Sequence, residues 1–139
     1  MRKFNFRLQK VLEYRKLLEQ WAKESYLEAR TARLEGELGL LQISEMREEA
    51  LKWPSSTLEA RQTLEHQLKR LDQKEIEQRL VVNVLAHEED QAKLAWNEKR
   101  MELEALNKMY DKQYGEWQLE MDRKLQTELD EWALRRKAA

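Results

Sequence analysis

The stretch LKWPSSTLEA, residues 51–60, contains the chain's one proline, and its reading decides the fold. Pro54 disfavours helical geometry at Trp53 before it. Ser56 followed by Glu59 has the spacing of a capping box that opens a new helix. The chain therefore turns here. On either side no strong breaker stands in the way, since the three glycines, Gly36, Gly39 and Gly115, are scattered singly. The pattern predicts helix 1 from about Lys3 to Trp53, a turn over 53–57, and helix 2 from about Thr57 to Arg136. The expected fold class is all-α: a single domain, 1–139, forming a long antiparallel two-helix coiled-coil hairpin whose second helix is the longer.

Composition agrees with that reading. Of 139 residues 38% are charged and 8% aromatic, the profile of long helices rather than of a mixed compact domain. Twenty-six Lys and Arg against 27 Asp and Glu leave a net charge of −1, so nothing global points to nucleic acid. The charge is segregated, however. Residues 1–16 hold Arg2, Lys3, Arg7, Lys10, Arg15 and Lys16 against Glu13 alone. The absence of cysteine excludes disulfides and thiolate metal sites and fits a reducing compartment. No apolar run approaches the roughly 18 residues of a membrane span. The basic start leads into Glu13 and Glu19 rather than a signal-peptide core, so a soluble chain without direct membrane insertion is expected.

Stepping by four and three from Phe4 gives Leu8, Val11, Arg15, Leu18, Ala22, Ser25, Ala29, Ala32, Gly36, Gly39, Ile43, Met46, Ala50 and Trp53, a sustained heptad seam. Its middle is small, with Leu27, Leu34, Leu38 and Leu41 beside it. Either the helices approach closely between Ala29 and Gly39, or the seam rotates onto those leucines. Helix 2 answers with Leu64, Leu68, Leu71, Glu75, Gln78, Val82, Leu85, Glu89, Ala92, Trp96, Lys99, Leu103, Leu106, Tyr110, Gln113 and Trp117. A tight turn would oppose Leu71 to Gly39 and Leu106 to Phe4. Near Gly115 the spacing changes to fours, a stutter that straightens a left-handed supercoil.

At 1.5 Å per residue helix 1 is about 75 Å long and helix 2 about 120 Å, so about 28 residues of helix 2 overhang the N-terminus. Tyr114, Trp117, Met121, Leu125 and Trp132 share one side of that overhang. They require a partner molecule, a second copy, or a helix 2 broken at Gly115. Trp117 and Trp132 are candidates for partner binding because aromatic side chains concentrate binding energy. Trp53 and Trp96 are expected to fill the seam.

Catalytic chemistry is not legible. His66 and His87 stand 21 residues apart without metal-ligand spacing. The carboxylates of Glu88, Glu89 and Asp90 read as a solvated face with no cleft to tune them. No glycine belongs to a phosphate-binding loop. The chain is not expected to be an enzyme, and no cofactor or metal is implied.

Two stretches carry a family resemblance. FNFRLQKVLEYRK, residues 4–16, resembles the N-terminal signature of the flagellar export protein FliJ family, an aromatic-x-Phe-Arg-Leu-Gln run leading into a hydrophobic pair and an arginine. EKRMELEALNKMYDKQY and ELDEWALRR, residues 98–114 and 128–136, are similar to that family's C-terminal helix. The resemblance implies an antiparallel coiled coil like the central stalk of rotary ATPases. It implies a cytoplasmic component of the type III flagellar export apparatus, peripheral to the inner face of the membrane and monomeric alone. Its implied partners are the export ATPase ring, the transmembrane export gate and export chaperones. An injectisome or rotary-ATPase stalk, or a purely structural homo-oligomeric coiled coil, are the alternatives. Phe4, Phe6, Arg7, Leu8 and Leu12 match the first signature, and Leu129, Asp130, Glu131, Arg135 and Arg136 the second. The ATPase-binding set so implied is Phe4, Phe6, Arg7, Leu8, Leu12, Trp117, Leu129, Trp132, Arg135 and Arg136. The resemblance places a gate-binding face early in helix 2: alignment by seam puts it at Leu64, Leu68, Leu71 and Glu75, and gapless alignment on Trp96 at Gln67, Leu71, Lys74 and Gln78, with Leu71 common to both.

Overall fold

A computed structural model describes residues 2–138. Two helices account for nearly all of it: α1, Gln9–Leu51, and α2, Leu58–Ala138. The hairpin fold class expected from the sequence is the one observed. α2 passes through Gly115 unbroken; a Cβ there would meet nothing within 4 Å. Among the described residues no helix is long and apolar enough to cross a membrane.

Four boundaries differ from the sequence expectation. α1 begins at Gln9 rather than Lys3 and ends at Leu51 rather than Trp53, the new helix is capped by Thr57 rather than Ser56, and it runs to Ala138 rather than Arg136. The Thr57 Oγ1 accepts the Ala60 amide at 3.1 Å, while the Thr57 carbonyl accepts the Arg61 amide. Ser and Thr are both good N-caps, so the backbone path of the link chose between them. α1 closes through shortened bonds, the amides of Lys52 and Trp53 donating to the carbonyls of Glu49 and Ala50.

The chain divides into two compact units. One comprises residues 21–97 and contains the link. Within it Arg47 pairs with Asp72, Gly39 lies against Gln78, Arg33 pairs with Glu89, and Tyr26 stacks on Trp96 with ring centroids 5.4 Å apart. Gly39 thus meets Gln78 instead of Leu71, one heptad further along α2 than a tight turn predicts. The cause is the link itself. Residues 52–57 are non-helical, and extended residues advance about 3.3 Å each against 1.5 Å in a helix. They carry the chain past the end of α1, and Trp53, Pro54 and Ser55 line a small pocket with Ala60, Thr63 and Leu64 of the first turns of α2. Trp53 does not fill the seam and is exposed.

The helices approach closely at the small residues. A Cβ added at Gly36 would lie 3.1 Å from Leu85 Cδ1 and 3.2 Å from Val82 Cγ2; one at Gly39 would lie 2.8 Å from Gln78 Nε2. Gln78 uses the space to donate to the Gly36 carbonyl at 2.9 Å. Leu27, Leu34, Leu38 and Leu41 stay outside, exposed. The close-approach alternative is therefore the one realised.

The other unit comprises residues 1–20 and 98–139. Arg15 pairs with Glu102 at 2.6 Å, and Leu12 is buried to 3% exposure. Leu106 was expected opposite Phe4. Instead Phe4 sits among Tyr110, Tyr114 and Trp117.

Candidate functional site

Two regions contain the residues singled out by sequence, one in each unit. In the unit of residues 1–20 and 98–139, residues 2–6 are non-helical, their burial alternating as in an extended chain, and Arg7–Leu8 form a turn into α1. An extended chain places residues i and i+2 on the same side. Phe4, Phe6 and Leu8 accordingly turn inward, with Phe6 buried to 3% exposure, while Lys3, Asn5 and Arg7 are exposed. The result is a strap with an aromatic inner face and a basic outer one.

The strap lies on a platform supplied by α2. Phe4 meets Tyr110 and Tyr114 edge-on, each with centroids 5.3 Å apart, and Trp117 at 5.8 Å; Phe6 meets Tyr110 edge-on at 5.3 Å. Tyr114 stacks between Tyr110 and Trp117 along the helix, at spacings of four and three. Beyond the strap's first residues a groove of about 510 Å³ is lined by Arg2, Trp117, Met121, Asp122, Lys124, Leu125 and Glu128. The strap thus shortens the expected overhang. Trp117 and Met121 are half-buried, and the exposed face starts further on, at Leu125, Leu129 and Trp132.

That exposed face ends in cations. Trp132 is 58% exposed, and the Arg136 guanidinium lies 5.2 Å from its ring centroid. Arg135, Arg136 and Lys137 occupy the last turn of α2, where positive charge complements the helix dipole.

In the unit of residues 21–97 a groove of about 440 Å³ lies beside the link, lined by Met46, Glu49, Ala50 and Trp53 on one side and Thr63, His66, Gln67, Arg70, Leu71 and Lys74 on the other. Of the four residues that the seam puts on a gate-binding face only Leu71 lines it, while alignment on Trp96 puts Gln67, Leu71 and Lys74 there; Leu71 is itself 6% exposed. Leu64 and Leu68 are half-buried. Glu75 binds Arg79 at 2.8 Å and lies 4.0 Å from Arg47. These residues serve the helix pair first.

A polar contact in this unit joins Arg33 to Glu89 and, at 2.9 Å, to Glu37. The hydrogen bonds it donates to Glu89 first and Glu37 second hold the arginine above its ordinary pKa. It also fixes register. A slip of one heptad would oppose Arg33 to Val82 or Trp96 and leave the half-buried cation with Glu37 of its own helix alone.

The ten residues expected at an ATPase interface thus fall into two groups. Phe6 and Leu12 are buried in the chain's own packing, and Phe4, Leu8 and Trp117 half-buried around the strap; Arg7, Leu129, Trp132, Arg135 and Arg136 are exposed. Sequence reasoning missed the platform role of Tyr110 with Tyr114, and the groove at Arg2. The signal was the alternation in KFNFRL, whose period of two fits an extended segment better than a helix.

The family model described as "Flagellar FliJ protein" matches residues 4–139. No curated protein and no solved structure matches the chain.

Proposed function

The chain belongs to the flagellar FliJ protein family, and from that premise we propose that it is a stalk that docks onto the export ATPase ring and links it to the export gate. Membership in the family supports a component of flagellar export. It acts by binding rather than by catalysis. The observation that carries the reading is the exposed C-terminal face of α2, where Leu129 and Trp132 stand beside Arg135 and Arg136. An apolar, aromatic and basic helix end suits a ring lumen that offers acidic and apolar side chains, because an aromatic anchor and arginines concentrate binding energy.

The groove beside the link, floored by Leu71, is the proposed contact with the gate. Export chaperones are further partners, and the chain works in the cytoplasm at the inner face of the membrane. Substituting Trp132→Ala together with Arg136→Ala tests the docking face. Helical content should stay unchanged, since these side chains are exposed, while affinity for the matching export ATPase should fall by about tenfold or more. Unchanged affinity would remove this face from the interface.

A further inference from the structure

We propose that residues 2–8 are a two-position latch: as the extended strap they cover Tyr110, Tyr114 and Trp117, and by joining α1 as helix they uncover that platform for a partner. The proposal rests on the stalk reading, whose docking face continues directly from Trp117 through Met121 and Leu125.

Local and tertiary preferences disagree at this helix start. α1 begins at Gln9, which leaves Leu8 at the N-cap, a position where leucine is among the poorest residues. The first turn contains no acid, and Lys10 there opposes the helix dipole. A start three residues earlier would place Asn5 at the N-cap, where asparagine is among the best, and neither glycine nor proline lies between. What holds the observed start is ring packing: Phe6 at 3% exposure and Phe4 among three rings. Two backbone bonds tie the strap's end into the helix: the Gln9 amide donates to the Phe6 carbonyl at 3.0 Å, and the Leu12 amide to the Leu8 carbonyl at 2.8 Å.

The two positions are mutually exclusive for stereochemical reasons. In an extended chain Phe4 and Phe6 face the same way, whereas in a helix residues two apart point about 200° apart. A helix extended back to Asn5 carries Phe6 roughly 120° round from Leu12, away from α2. It also withdraws Arg2 from the groove at Leu125, because helical residues advance less than half as far as extended ones. A partner that binds the uncovered face binds only the helical position. Its apparent affinity is then lowered by the fraction of molecules in that position, so a strap open in about one molecule in ten weakens binding about tenfold.

The cysteine-free chain allows a clean test. The double variant Phe4→Cys/Tyr114→Cys, joined by a short bis-maleimide, is compared with the same protein left unlinked. Acrylamide quenching is read in a version of each in which Trp117 is the only tryptophan, and export-ATPase affinity is read with all five tryptophans present. The latch predicts weaker quenching and about tenfold weaker ATPase binding in the linked form, and stronger quenching and tighter binding for Phe6→Ala than for wild type. Equal quenching of linked and unlinked protein overturns the latch. Different quenching with equal affinity overturns its control of docking. If no form binds the ATPase, the stalk reading fails, and the quenching alone decides whether the strap moves.

Discussion

The two compact units cover α2 by opposite means. Across residues 21–97 the inner face of α1 is small, Ala29, Ala32, Gly36 and Gly39, and α2 comes close enough for Gln78 to reach the Gly36 carbonyl. Large leucines are left outside. In the unit of residues 1–20 and 98–139 an extended segment is faced with rings instead, and Phe4, Phe6, Tyr110, Tyr114 and Trp117 interlock. Close backbone approach spreads the contact over many small groups and lets polar pairs such as Arg33 with Glu89 set register. Ring packing concentrates it in a few side chains. The first arrangement is hard to alter at one place; the second can be undone by moving one short segment.

Substitutions should separate the two. The largest effect is expected from Leu12→Ala, which empties a site buried to 3% exposure beside the strap and should cost about 3 kcal/mol in denaturant unfolding. A loss below about 1 kcal/mol would mean that the aromatic unit is not held by a few large groups. Next comes Gly36→Leu, which drives a side chain into Leu85 and Val82 and should cost about 2 kcal/mol, with loss of the Tyr26–Trp96 stack seen in Trp96 emission. If instead the variant is as stable as wild type, the close approach is not required. Gly115→Ala sharpens the contrast from the other side. With nothing within 4 Å of the new methyl, it should stabilise by about 1 kcal/mol through helix propensity alone. The smallest change is expected from Glu89→Gln. Arg33 keeps Glu37, so the midpoint should fall only slightly, and its dependence on salt should weaken. A salt dependence identical to wild type would show that the pair is not felt.

Much of the helix pairing was legible. The α2 seam from Leu64 to Tyr110 is the face turned inward, because fourteen heptad positions in one unbroken helix leave little freedom of phase. It fails only at Gln113, exposed where the spacing changes. On α1 the seam slips to a neighbour in three places. Leu12, Tyr26 and Arg47 turn toward α2 where Val11, Ser25 and Met46 were expected. The stepping started from Phe4, which is not in the helix. Adjacent residues lie about 100° apart, so between two neighbours the longer side chain that finds a partner takes the inner place, as Arg47 does with Asp72. Of the residues singled out for docking, the sequence did not show which would be free: Trp132, Arg135 and Arg136 are exposed, whereas Phe6 and Leu12 are taken up by internal packing.

The sequence alone determined that two long helices form, that they part at Pro54, and which stripe of each meets the other. Those are consequences of hydrophobic period, helix propensity and one missing amide, and all act over a few residues. The tertiary structure alone decided where α1 starts and which heptad faces which. Both outcomes turn on short non-helical segments, 2–8 and 52–57, in which an extended residue advances about twice as far as a helical one. Whether such a segment stays extended is settled by what it lies on, here the rings of Tyr110, Tyr114 and Trp117, more than 100 residues away in the chain.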